Sequence, residues 1–148
     1  MSDLTEATRA VARRWFDALA SGDFETCLGL LADDVEWINY TPVPGYNDDM
    51  KWIGAIRGRD AVLASLQVFT GECEVKFEKL VDLVVDGEKA AGVIHELSAV
   101  RNNGVEFEIE FVQWLTVRDG RIVRWKSYTD PSPIVRALRG DTSGQVAA

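Results

Sequence analysis

One histidine and two cysteines are all the soft metal ligands this chain offers. Cys27 and Cys73 lie far apart in sequence and match no metal-binding or redox spacing. Ligand supply therefore argues against zinc, and no metal site is expected. Both thiols read as small buried hydrophobes of a reducing compartment. Long apolar runs are also missing. None reaches eighteen residues, so no membrane-spanning helix is expected. The opening MSDLTEATRA lacks the basic start and apolar block of a secretory signal, which points to a cytoplasmic protein. Basic charge is in short supply: 16 Lys and Arg stand against 24 Asp and Glu, for a net charge of −8. That balance argues against nucleic acid and anionic membranes as partners. The mild basic clusters at Arg13–Arg14 and Arg118–Arg124 are not interleaved with a stacking platform. Repeats, low-complexity tracts and internal linkers are absent.

What is present suits one globular domain. The chain has 148 residues, 47% hydrophobic and 27% charged, enough to bury a core without disulfide staples. We read a domain over residues 1–140, with the small polar residues 141–148 expected to form a disordered tail. Residues 3–20 carry an amphipathic helical stripe through Val11, Trp15 and Ala18, with Ala12, Phe16 and Leu19 beside it. Asp23 is placed to cap a second helix running to about Leu31. Val35 to Tyr40 alternates as a strand, with Val35, Trp37 and Asn39 on one face. Residues 41–57 read as a loop, and a third helix starts near Gly58 and stops at Gly71. Four strands follow, over 73–85, 89–101, 105–118 and 121–129. Asp86-Gly87, Asn103-Gly104 and Asp119-Gly120 join them, dipeptides that supply the positive φ of tight hairpins. A bulge is expected near Leu80, where the alternation set by Val75 and Phe77 changes. Asp130-Pro131 opens a short C-terminal helix to about Arg139. Helices first and a meander of long hairpins after them predict an α+β fold. Bulky residues on both strand faces predict that one face lines a cavity and the other meets a second subunit, giving a homodimer.

Three segments carry a resemblance: ARRWFDALASGDFETCLGLLADDVEWINYTP, GRDAVLASL and FVQWLTVRDGRIVRWKSYTDPSPIVRAL. Together they are similar to nuclear-transport-factor-two-like proteins, and the closing Asp-Gly-Arg-Ile followed by Trp-x-x-Tyr-x-Asp resembles the SnoaL-like branch. The resemblance implies a cone: a curved, mostly antiparallel sheet closed by three helices, a short C-terminal helix, a deep pocket, and commonly a homodimer. Neither an enzymatic nor a binding role of this kind requires an organic cofactor or a metal, and none is expected. The superfamily spans ketosteroid isomerases, polyketide cyclases, dehydratases, limonene-epoxide hydrolases and non-catalytic binding subunits, so the positions decide. The ketosteroid isomerase pattern puts a tyrosine donor at Trp15 and an aspartate base at Asn39, and both positions depart from it. The epoxide hydrolase pattern of Asp, Arg and Asp falls on Glu96, Ile94 and Ser127, with its helping asparagine matched by Asn39 and its tyrosine replaced by Trp37. The acid that a SnoaL-type cyclase keeps at the position of Ser127 is also missing.

Read from the residues alone, Glu96 is the leading candidate. It lies in GVIHELSAV, an otherwise apolar strand, where burial would raise its pKa and suit it to acid–base work. The plain alternative is that strand parity is off by one, Glu96 faces outward, and His95 enters the cavity instead. Asn39 and Gln113 could orient a substrate or a water, against simpler roles in strand-end or interface hydrogen bonds. Trp15, Phe16, Leu19, Trp37, Trp52, Phe111 and Trp125, with Ser127, are candidates to line a site for a small apolar ligand, although large aromatics are core by default. Asp130 reads as a helix cap. The expectation is an enzyme using general acid–base chemistry on a small, apolar, oxygenated molecule, with a non-catalytic binding domain as the alternative.

Overall fold

The computed structural model describes residues 2–143. Its elements run α1 (Asp3–Ser21), α2 (Phe24–Leu30), β1 (Leu31–Asn39), β2 (Gly54–Arg57), α3 (Arg59–Glu72), β3 (Cys73–Asp86), β4 (Lys89–Val100), β5 (Glu106–Arg118), β6 (Arg121–Tyr128) and α4 (Ser132–Leu138). One mixed six-stranded sheet has the order β2-β1-β6-β5-β4-β3. Only β1 and β6 pair in parallel; every other neighbour is antiparallel. The fold is α+β, with four helices and an unclosed sheet among the described residues.

Local chemistry explains the boundaries. Ser2 caps α1 by accepting from the Thr5 amide at 3.1 Å, and Gly22 ends it in the left-handed conformation at φ 71°. Asp23 caps α2 by accepting from the Thr26 hydroxyl at 2.6 Å and the Thr26 amide at 3.1 Å, and those bonds hold its carboxyl below the usual range. Asp119 and Gly120 both take positive φ, the pattern of a two-residue hairpin turn. The C-terminal helix begins one residue later than the sequence suggests. Pro131 is the capping residue, while the Asp130 carboxylate accepts from the Ser132 amide and hydroxyl at 3.0 and 3.1 Å. The expected 41–57 loop is also shorter, because Gly54–Arg57 adds an edge strand antiparallel to β1. Of the expected tail, residues 144–148 lie outside the described residues.

Two apolar clusters fill the concave side of the sheet. The larger packs α1 and α2 on the sheet through Trp15, Phe16, Leu31, Trp37, Leu115 and Trp125. Gly92 permits that contact: a Cβ there would sit 2.2 Å from Phe16 Cζ. The smaller cluster gathers Met50, Trp52, Phe107, Ile109 and α4 around the far end. The long connection from β1 to β2 is pinned to it. Asn47, only 3% exposed, accepts from the Val43 amide at 2.7 Å and donates to the Thr41 carbonyl at 3.0 Å.

Candidate functional site

A cavity of about 100 Å³ lies between the concave sheet face, α1–α2, α3 and α4. Its wall is mostly aromatic and aliphatic. Trp37 and Trp125 stack with ring centroids 3.7 Å apart and planes 6° apart. Trp52 closes another side, edge-on to Phe69 at 5.0 Å. Leu19, Phe111 and Ser127 also line it. Among the described residues the wall contains no Lys, Arg or His, and its charged groups are two glutamates.

Those glutamates are Glu96 on β4 and Glu78 on β3, directly opposite each other in the antiparallel register. Glu96 is 5% exposed. The two carboxyl groups hydrogen-bond to each other, and Ser98 donates to Glu96 Oε2 at 2.9 Å. Burial pushes both carboxyls well above the ordinary range. The pair is then split by its surroundings. Bonds from Ser98 and Glu78 favour the Glu96 carboxylate, whereas the charge on Glu96 further raises Glu78. The two carboxyls titrate as a coupled pair across their shared hydrogen bond.

Tyr40 stands beside this pair, at the end of β1. Its φ of 57° is uncommon for a bulky residue, and it sets the side chain in the cavity wall. Its hydroxyl hydrogen-bonds to Thr129, whose own hydroxyl lies 3.1 Å from Ser127 Oγ. Burial pushes the phenol further up, so it stays protonated. Asn39 lines the cavity with no side-chain partner among the described residues. Gln113, 5% exposed, accepts from the indole N–H groups of Trp15 and Trp125, each at 2.9 Å to Oε1.

The structure thus brings Glu96, Asn39 and Gln113 to one cavity with Leu19, Trp37, Trp52, Phe111, Trp125 and Ser127. Two residues nominated for ligand contact do not line it. Phe16 is spent against Gly92, and Trp15 is a fully buried residue behind the wall, edge-on to Trp37 at 6.0 Å. Glu96 hydrogen-bonds to Ser98 and Glu78, rather than to Gln113 or Asn39. His95 lies on the opposite face, 2.6 Å from Glu108. The sequence reading missed Glu78 and Tyr40. Glu78 was hidden by a register shift between Val75 and Phe77, which turns Phe77 outward to 44% exposure. The glutamate spacing was a usable signal only once that shift was known.

Both cysteines are buried and unpaired, and burial pushes each thiol up to about 12, which leaves them unreactive. Among the described residues no group of three or more His, Cys, Asp or Glu could hold a metal ion. No described helix is long and apolar enough to cross a membrane. A second groove, of about 530 Å³, runs past His95, Leu97, Glu108 and Arg136.

Comparison with solved structures finds the same fold repeatedly. An NTF2-like protein from Burkholderia xenovorans LB400 is 26% identical, with a TM-score of 0.75 over 90% of this chain and 97% of that one. A Bacillus subtilis protein provisionally named an isomerase is 15% identical, with a TM-score of 0.76 over 95% and 98%. A Xanthomonas campestris pv. campestris protein provisionally named a polyketide cyclase is 20% identical, with a TM-score of 0.73 over 92% and 99%. Comparison with curated protein sequences finds no match. The SnoaL-like domain family matches residues 12–125, most of the chain, and this protein belongs to it.

Proposed function

We propose that this protein is an enzyme that moves a proton on a small, largely apolar, oxygenated molecule, using the Glu96–Glu78 pair as base and acid. One observation carries the reading: two hydrogen-bonded carboxyl groups in an aromatic cavity that, among the described residues, offers them no cation. Burying such a pair is costly, so its retention at a ligand-sized opening favours chemistry over packing. Glu96, as carboxylate, takes a proton from the carbon beside a carbonyl. The C–H electron pair moves into the enolate, and the charge develops on the carbonyl oxygen. Glu78 then gives its proton to the enolate, and the proton held by Glu96 passes to Glu78 through their shared hydrogen bond, which restores the pair. Asn39 and Gln113 orient the substrate, and Trp37, Trp52, Phe111 and Trp125 enclose its apolar part. The names of the Bacillus and Xanthomonas neighbours, an isomerase and a polyketide cyclase, fall in the same class of proton-transfer chemistry. Epoxide hydrolysis is less favoured, because Ile94 stands where that chemistry places an arginine. The working unit of this reading is a homodimer joined through the convex sheet face.

The test is exchange of the α-protons of cyclopentanone in deuterated buffer, followed by NMR. Wild-type protein is expected to speed exchange above the buffer rate. Glu96→Gln keeps the shape and removes the base, and the enzyme-dependent rate is expected to fall by roughly two to four orders of magnitude. Exchange that survives this substitution would overturn the assignment of Glu96.

A further inference from the structure

The oxygen of Gln113 is fully engaged, and that fixes what the residue can offer a ligand. Both indole N–H groups, from Trp15 on α1 and Trp125 on β6, point at Oε1. An indole nitrogen only donates, so the acceptor end of the amide must face them. The amide orientation, ordinarily a matter of choice, is determined by the chemistry of its neighbours. Its Nε2 is therefore turned away from the indoles, and among the described residues it meets no acceptor. Yet Gln113 is 5% exposed and lines the cavity. A second donor, Trp37 Nε1, is also buried in this wall without a partner. The carboxyl oxygens, by contrast, already receive Ser98 and each other. Trp37 Nε1 is closed off from the cavity surface, so the donor left for a ligand is Gln113 Nε2.

We propose that Trp15 and Trp125 are positioning residues that lock Gln113 as a donor-only group, so that the cavity selects an uncharged ligand bearing an acceptor oxygen. The ligand oxygen sits on Gln113 Nε2, with the apolar remainder against the Trp37–Trp125 stack. A carboxylate or phosphate ligand is disfavoured, because the wall supplies two glutamates and no basic group among the described residues. The cavity volume of about 100 Å³ limits the ligand to roughly one small ring. This inference relies on the proposed function only for the place where the ligand binds. It concerns binding and can fail or hold whether or not Glu96 moves a proton.

The experiment compares cyclopentanone with methylenecyclopentane, which replaces the oxygen by a CH₂ group of similar shape. Affinities are read from tryptophan fluorescence and ligand-observed NMR. The ketone is expected to bind roughly five- to a hundredfold tighter, the scale of leaving a buried donor unmade. Gln113→Met removes the donor at similar length and is expected to abolish the preference. Trp15→Phe frees one side of the amide and is expected to shrink the preference while apolar binding persists, which loss of packing alone would not do. The wild-type protein provides a test that needs no variant to fold. The Gln113 side-chain amide protons, assigned through their proximity to the two indole protons, are expected to shift with the ketone and not with the hydrocarbon. Equal affinity for the two probes in the wild type, an unshifted amide, or a ketone preference that survives Gln113→Met would overturn the proposal.

Discussion

Replacing Glu78 with glutamine tests whether the buried carboxyl pair taxes the fold as it ionises. Burial, followed by the charge on Glu96, raises Glu78 from 4.5 to about 8. The folded protein therefore holds a proton that the unfolded chain releases, so stability falls as pH rises. This favourable contribution is complete below the unfolded value of 4.5 and is lost as pH passes about 8. The nominal shift from 4.5 to about 8 corresponds to roughly 4–5 kcal/mol, at about 1.4 kcal/mol per pH unit. Relaxation and water entry reduce such penalties, so we expect about 2–3 kcal/mol. That is a sizeable part of the roughly 5–15 kcal/mol available to a small domain. Glu78→Gln removes one ionisation and leaves a carboxamide that can donate to Glu96. Urea unfolding at fixed protein concentration, from about pH 5 to about pH 8.5, gives the two stability curves. Their difference cancels the carboxylates that Glu78 does not touch and leaves the titration of the Glu78–Glu96 pair. The variant is expected to gain on the wild type by about 2–3 kcal/mol across that interval. Parallel curves would refute the claim that the pair is buried and coupled.

Three further outcomes follow from the packing. Gly92→Ala brings a Cβ to 2.2 Å from Phe16 and is expected to cost about 1–3 kcal/mol by thermal unfolding, with Phe16→Leu relieving part of the loss. Trp37→Phe breaks the stack on Trp125 and enlarges the cavity, so apolar ligands in the affinity assay are expected to bind more weakly while the chain still folds. The convex face carries Trp114 and Tyr128 at 38% and 49% exposure, with Val112, two residues before Trp114 on β5, paired to Tyr128 of β6. Sedimentation at micromolar concentration is expected to show a dimer, and Trp114→Lys to weaken it; a wild-type monomer would remove that face as an interface.

The fold was legible because its signals are local and agree with one another. Capping residues, the Asp119-Gly120 turn and the helical stripe through Val11 and Trp15 each act over a few residues. The short strand Gly54–Arg57 was not legible, because its stability comes from pairing with β1 rather than from its own sequence. Tyr40 was misread for a related reason. The alternation of Val35, Trp37 and Asn39 extends naturally to the next residue, but the chain leaves the sheet there with φ at 57°. That reversal turns a residue read as the last of a strand into part of the cavity wall.

The site divides along the same line, between what alternation reveals and what interrupts it. On β4 the two-residue period is unbroken, and Ile94, Glu96 and Ser98 all come to the buried face together. On β3 the cavity-side residues follow steps of two and three instead: Val75, Glu78 and Leu80, with register shifts after Val75 and again after Leu80. A period-two reading sends Phe77 inward and Glu78 outward, the reverse of what the pairing gives. The same bulge thus accounts for an exposed phenylalanine and for a second carboxylate at the site. Moving one residue of register exchanges an apolar wall for an acid–base pair, so in this fold the chemistry of the cavity depends on backbone irregularities as much as on residue identity.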